Sequence, residues 1–214
     1  MTPAERPLVA ILDYGIGNMR SAQKALEQAG ADARLTADPG LIADARAVVL
    51  PGVGAFGACM DALRASRLDA IAVDAAVDAS LGGRPFFGIC VGMQMLYEGS
   101  AESPSHAGLG VLSGRLALLP DTVKRPQMQW NRLEISRPSA LFSTVDDPVW
   151  VYFVHSYAAA ADGEHVVATC EYGGPVAAAI EQGHLWATQF HPEKSGGTGL
   201  QFLQSLVTVA QHGA

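Results

Sequence analysis

A chain of 214 residues, 49% hydrophobic and 16% charged, is long enough to bury one full core and too apolar to stay disordered. Its formal net charge of −7 argues against a face built to grip nucleic acid. The three cysteines (Cys59, Cys90, Cys170) have no C-x-x-C spacing, and no histidine or carboxylate cluster has ligand spacing, so no metal, disulfide framework or cofactor is expected.

The opening "MTPAERPLVA" lacks the apolar segment of a secretory leader. The uncharged stretch Ala47 to Met60 is too short to span a bilayer and carries Pro51 and several glycines. No membrane attachment and a cytoplasmic location are therefore expected. "LVAILDYG" reads as a buried strand ending at Asp13 and a glycine turn. In "NMRSAQKALEQAG", Met19, Ala22, Ala25, Leu26 and Ala29 recur at helical spacing and Gly30 is a stop. "DARL" is a short strand, and "RAVVLPGVG" a buried one closed by Pro51 and Gly52. Ala58 to Ala65 and Leu68 to Ser80 read as helices, "RPFFGIC" as a strand and "GMQMLYEGS" as a short helix. This alternation predicts a flavodoxin-like, doubly wound α/β sheet, mostly parallel, with helices on both faces.

The second half changes character. "GRLALL", "NRLEIS", "VWVYFVHSY", "HVVATCEYG", "VAAAIEQG" and "HLWATQFHPE" read as strands, several alternating, which predicts antiparallel pairs. A hairpin is expected around Gln182-Gly183. "GTGLQFLQSLVTVAQ" is a closing helix with Leu200, Phe202, Leu203 and Leu206 on one face. Ser100 to Gly110 is the loop joining the halves, and residues 1–214 are expected to form one domain.

Cys90 lies where an apolar strand breaks into a helix, with Gly88 and Gly92 at i−2 and i+2. A buried structural cysteine is the commoner case. A nucleophile elbow needs just these small neighbours, so that the side chain clears the sheet and backbone amides face the same space. The pattern G-x-C-x-G-x-Q adds Gln94 one helical turn on, and the amide of Val91 is a natural oxyanion donor. Of six histidines, His191 in "QFHPEKS" best suits a base. Glu193 is two residues on, and in extended backbone the two side chains point the same way. Glu193 would then set the imidazole tautomer. "LPGVGAFG" is a glycine-rich turn whose free amides, at Gly52 and Val53, could hold an oxyanion or a carboxylate. "DYGIGN" fails as a dinucleotide fingerprint because Arg20 stands at its third glycine position, and no P-loop is present. The residues alone leave open a cysteine hydrolase of the elbow type, or a binding protein that keeps the fold without turnover.

Taken together, "DYGIGN", "PGVGAFG", "GICVGMQ", "YFVHSY" and "QFHPEKS", in this order across nearly the whole chain, resemble the class I glutamine amidotransferases. They are most similar to the branch that works beside a (β/α)₈-barrel cyclase in histidine biosynthesis. The resemblance implies L-glutamine as substrate, a thioester on Cys90, and ammonia passed to that barrel within a heterodimer. It implies Cys90, His191 and Glu193 as the triad and Gly52, Val53 and Val91 at the oxyanion. Gln94, Ser156, Tyr157 and Glu98 would hold glutamine. Asn18, Met128, Trp130, Asn131, Tyr152 and Lys194 would face the partner. At "QMQWN" the chain departs from the family's usual histidine-methionine-glycine-tryptophan-asparagine, through Gln127 and Gln129. Both are expected at the subunit interface.

Overall fold

The protein, seen in a computed structural model, is described over residues 6–212. The reading of the leading residues Met1–Glu5, and the last two residues of the expected domain, lie outside the described residues. Five segments, four of them mainly apolar, make the parallel part of an eight-stranded sheet. They are β1 (Leu8–Leu12), β2 (Asp32–Thr36), β3 (Ala47–Gly52), β4 (Phe86–Cys90) and β13 (Leu185–Thr188), in the order β2-β1-β3-β4-β13. β3, β4 and β13 are buried along their whole length, as strands covered on both faces must be. Three antiparallel strands extend the sheet: β12 (Pro175–Gln182), β11 (Val166–Glu171) and β8 (Glu134–Ile135). The doubly wound α/β class and its antiparallel second half are therefore as expected.

The helices are α1 (Met19–Gln28), α2 (Pro39–Asp44), α3 (Phe56–Ala65), α4 (Asp69–Ser80), α5 (Val91–Met95) and α6 (Gly196–His212). α1 buries Met19, Ala22 and Leu26, its predicted stripe. α6 buries Phe202, Leu203 and Leu206 as predicted but leaves Leu200 only half-buried. α2 was not foreseen, since six residues carry too little periodicity. Its signal is the cap: Asp38 accepts from Leu41 N–H at 2.8 Å and Pro39 opens the first turn.

Four local expectations shift. "GMQMLYEGS" is helical only to Met95. Tyr97–Ser100 turns into β5, which pairs with β6 (Leu112–Leu118), itself paired to β10 (Tyr157–Ala158). "NRLEIS" is two strands: β7 (Gln127–Arg132), paired antiparallel with β9 (Trp150–His155), and β8 on the main sheet, with the buried Leu133 between them. The hairpin turns one residue later than expected, on Gly183-His184, because Gln182 pairs with Leu185 and Gly183 takes φ 57°. β13 ends at Thr188, before the histidine it was expected to carry.

Candidate active site

Cys90 closes β4 and α5 starts at the next residue. Its φ of 54° is shared, among described non-glycine residues, only by Arg67. An L-residue in that region is strained, and strain of this kind concentrates where a side chain must be aimed. The flanking glycines make the turn possible. A Cβ at Gly92 would collide with the Leu50 carbonyl, and one at Gly88 would lie 3.0 Å from both Ala187 Cβ and Met93 N. Gly52, at the end of β3, is equally tight: its Cβ would lie 2.8 Å from Gly92 N. Here glycine serves close approach between β3 and the elbow.

The Cys90 sulfur lies 4.0 Å from the Val154 carbonyl and accepts from Gln189 Nε2 at 3.7 Å. His191 is 1% exposed. Its Nδ1–H donates to Glu193 Oε1 at 2.8 Å, with both side chains buried, so Nε2 is left for the thiol. The geometry differs from the expected extended pair. His191 is the extended residue that opens a 3-10 turn, Pro192–Lys194, and it is this turn that swings Glu193 back under the ring. Burial by itself lowers the His191 pKa. Hydrogen bonds to Cys90 and Glu193, with their negative charges, outweigh it and raise it to about 9.

That value carries a prediction. The imidazolium that must protonate a leaving amine persists up to about pH 9, so turnover is expected to fall as pH rises through that point. Glu193→Gln, which removes one raising interaction, should move the alkaline limb downward. A kcat/KM profile from pH 6 to 10 that stays flat, or a limb unmoved in the variant, would contradict this.

The thiol opens onto a cavity of about 300 Å³, lined also by Glu102, Ser156 and Tyr157. That volume suits one small-molecule substrate. Gln94 is buried and donates through Nε2 to the Tyr157 carbonyl and to Gln189 Oε1, each at 3.0 Å. Val91, Val53, Gly54 and Lys194 also line the cavity. The loop after β3 is tied down from beneath. Tyr14 OH donates to the Pro51 carbonyl at 2.6 Å, and Cys59 Sγ to the Val53 carbonyl at 3.3 Å. Burial, with the neighbouring thiols, pushes the Tyr14 phenol well up, so it remains a donor. His155 lines the cavity too, and burial pushes it down to about 4, leaving it neutral.

Two expected residues fall elsewhere. Glu98 is exposed, outside the cavity lining, and its carboxylate accepts from Gly114 N–H at 3.1 Å. It lies on β5, where the chain has already turned from helix to strand. The carboxylate in the cavity is Glu102, which also accepts from Phe56 N–H at 2.8 Å. Gln127, the first residue of β7, is fully buried opposite His155 and donates to Cys170 Sγ at 3.7 Å. Gln127 is thus not on the surface, whereas Gln129 is exposed.

Of the residues expected to face a partner, Met128 is 62% and Trp130 49% exposed, and Lys194 is exposed. Trp130 packs edge-on to Tyr152, with ring centroids 6.2 Å apart. A Cβ at Gly196, two residues past Lys194, would lie 3.9 Å from Trp130 Cη2, so this face borders the triad turn. Asn131 Nδ2 donates to the Glu171 carbonyl at 2.9 Å, and Asn18 is half-buried at the start of α1.

Sequence reasoning missed Glu102, Gln189 and Ser195. Ser195 Oγ donates to the His191 carbonyl at 2.6 Å and accepts from Tyr152 N–H at 3.0 Å, while His191 N–H donates to the Tyr152 carbonyl at 3.0 Å. This closed ring of bonds seats the histidine on β9. Only the adjacency of Gln189 and Ser195 to the "HPE" segment could have flagged them. Among the described residues no His, Cys, Asp or Glu cluster could hold a metal ion, and no described helix is long and apolar enough to cross a membrane.

Residues 10–208 match the family described as Glutamine amidotransferase class-I. The chain is 43% identical over 206 residues, 92% of this chain and 98% of the other, to "Imidazole glycerol phosphate synthase subunit HisH" of Syntrophotalea carbinolica. It is 47% identical over 198 residues to the protein of that name in Lactiplantibacillus plantarum, covering 92% of this chain and 93% of that one. Among solved structures, the "Structure of PurLQS from Thermotoga maritima" aligns with a TM-score of 0.70 at 20% identity, covering 95% of this chain and 98% of that chain. A "Crystal structure of glutamine amidotransferase" aligns at 0.69 and 21%, covering 94% and 99%. These two share the fold.

Proposed function

Because the chain belongs to the class-I glutamine amidotransferases and, within them, to the HisH subunits of imidazole glycerol phosphate synthase, we propose how its cavity works as a glutaminase. The enzyme hydrolyses L-glutamine to glutamate and ammonia for histidine biosynthesis. One observation carries the assignment of roles: Cys90 and His191 line one cavity of amino-acid size, and the buried Glu193 carboxylate holds the histidine ring.

Cys90 gives its proton to His191 Nε2, and the sulfur attacks the side-chain amide carbon of glutamine. The negative charge moves to the amide oxygen. Val91 N–H is one donor to it, and Val53 N–H becomes the second if the Gly52–Val53 peptide turns. The carbonyls on either side, of Pro51 and Val53, are held by Tyr14 and Cys59, so a turn confined to that one peptide leaves the rest of the loop in place. Losing one such donor costs about 3–4 kcal/mol in the transition state. His191 then protonates the departing nitrogen, leaving ammonia and a Cys90 thioester. Water attacks the thioester with His191 as base, releasing glutamate and the thiol.

Gln94, Ser156 and Tyr157 hold the substrate, and Glu102, in place of Glu98, takes its ammonium group. Glu102→Gln keeps the acceptor for Phe56 N–H and removes the charge. It is expected to raise KM for glutamine roughly 10- to 100-fold, the worth of a charge-assisted bond, with little change in kcat. Glu98→Gln should leave KM alone; a KM rise in Glu98→Gln but not in Glu102→Gln would reverse the assignment.

The exposed Met128 and Trp130, with the half-buried Tyr152 packed against Trp130 and Lys194 at the cavity mouth, seat a (β/α)₈-barrel cyclase in a heterodimer, and Lys194 suits an acidic group there. The three cysteines are free thiols, which agrees with a cytoplasmic enzyme. The direct test is glutamate release by the purified chain, alone and with its cognate barrel and that subunit's ribonucleotide ligand. A large rise on complex formation supports the proposal. Activity appearing only beside a different synthase would remove the barrel and leave the triad.

A further inference from the structure

We propose that Gln189 is a catalytic residue that donates a side-chain N–H to the Cys90 sulfur and that Gln94 holds it in that orientation. This rests on Cys90 being the nucleophile assigned above. Gln189 directly follows β13 and is fully buried beside the elbow. Its Nε2 lies 3.7 Å from Cys90 Sγ and its Oε1 accepts from Gln94 Nε2 at 3.0 Å.

An amide side chain has two nearly isosteric orientations, and the hydrogen-bond network decides between them. The chain of bonds here begins at a group whose polarity is not negotiable. The Tyr157 carbonyl can only accept, and it receives both Gln94 Nε2 and His155 Nδ1 at 3.0 Å. Gln94 must therefore turn its NH₂ toward Tyr157. The second hydrogen of that NH₂ goes to Gln189, which must answer with its oxygen. Gln189 then has only its own NH₂ to present to the sulfur. Flipping Gln94 would set two acceptors face to face at Tyr157, and flipping Gln189 would set two donors face to face at Gln94, each a costly arrangement in a buried site. The donor is consequently pre-set toward Cys90 before any substrate arrives. A donor fixed on sulfur favours the thiolate over the thiol and needs no reorganisation when charge appears. When sulfur forms its bond to the substrate carbon, its negative charge passes to the oxyanion and the Gln189 contact weakens. Gln189 therefore acts on the resting nucleophile, and the oxyanion donors act later.

The test compares the full-length wild-type chain with Gln189→Glu and Gln189→Met, alone and in complex with the barrel. The readout is the rate of Cys90 carboxamidomethylation by iodoacetamide from pH 6 to 9. Glu keeps shape and the acceptor for Gln94 but replaces the donor with a negative charge, so the uncharged Met, which removes donor and acceptor together, is the deciding variant. Alkylation at pH 7 is expected to slow roughly 10- to 100-fold in each variant, with the rate profile displaced to higher pH, and glutamate release to fall in kcat rather than KM. A merely structural glutamine would lower the melting temperature and leave the alkylation profile in place, which overturns the proposal. If neither variant folds, the wild-type chain still decides: the Gln189 side-chain amide NMR signals should move when Cys90 is carboxamidomethylated, and unmoved signals overturn it. Iodoacetamide reads the thiol without glutamine, so a wild-type chain that alkylates as expected yet releases no glutamate would sink the glutaminase assignment instead.

Discussion

Replacing Cys90 with alanine is expected to lower glutamine hydrolysis by at least about 10⁴-fold, the scale seen when one member of a catalytic triad is removed. The loss is chemical and not structural. Cys90 is almost fully buried, but its sulfur's contacts to Val154 and Gln189 are long, and its bond to His191 serves the chemistry. Alanine also relieves nothing at the strained φ of 54°, since it carries the same Cβ. The melting temperature should therefore change by only a few degrees. The discriminating measurement supplies the barrel complex with either glutamine or ammonium salt. Glutamine-dependent synthesis should vanish in Cys90→Ala while ammonia-dependent synthesis persists, because the partner's chemistry does not use this thiol. Residual glutamine turnover within tenfold of wild type would remove Cys90 as nucleophile. Loss of the ammonia-dependent reaction as well would mean that the elbow also shapes the subunit contact.

The second large effect is on the fold. Gly92→Ala places a methyl group onto the Leu50 carbonyl oxygen, a backbone atom in the middle of the buried strand β3. Neither side has room to give, since Gly52 on the same strand already packs within 2.8 Å of Gly92 N when a Cβ is drawn on it. Overpacking of this kind reaches about 3–5 kcal/mol, which for a chain of this size corresponds to a fall of about 10 °C in melting temperature. Gly54→Ala is the internal comparison. Gly54 has φ 89° but open space around its Cβ position, so it carries backbone strain without collision and should cost about 1–2 kcal/mol. Calorimetry on the three proteins separates the cases. Equal melting temperatures for Gly92→Ala and wild type would show that β3 and α5 are not packed as described.

Much of this architecture was readable from local pattern. Three strands of the parallel core, β1, β3 and β4, are apolar runs that end near glycine or proline, and the amphipathic α1 shows its stripe directly. Where reading went astray, a contact distant in sequence had overruled a local signal. "MLYEGS" continues a helical pattern, yet Tyr97–Ser100 is drawn into β5 by pairing with β6. Glu98 was named for the cavity by the resemblance, and its place on β5 carries it outside. Gln127 was assigned to the interface with its neighbours, but it opens β7 opposite the buried His155 and packs on Cys170, while the next three residues of the strand reach the surface. His191 and Glu193 were paired for a geometric reason that does not hold, and a 3-10 turn brings them together instead.

By itself, then, the sequence determined the α/β class, the elbow at Cys90 and the identity of the residues paired with it. Each of these depends on short-range sterics: a strand needs its apolar run, a sharp turn its small neighbours, and a histidine two positions from a glutamate stays close whatever the backbone does. The tertiary structure alone decided that Glu102 and not Glu98 faces the cavity. It also decided that Ser195 ties the histidine turn to β9 and that Gln94 and Gln189, 95 residues apart, join in one hydrogen-bonded line to the thiol. Those contacts are made between elements that meet only when the sheet closes, and no local spacing encodes which polar groups will find each other there.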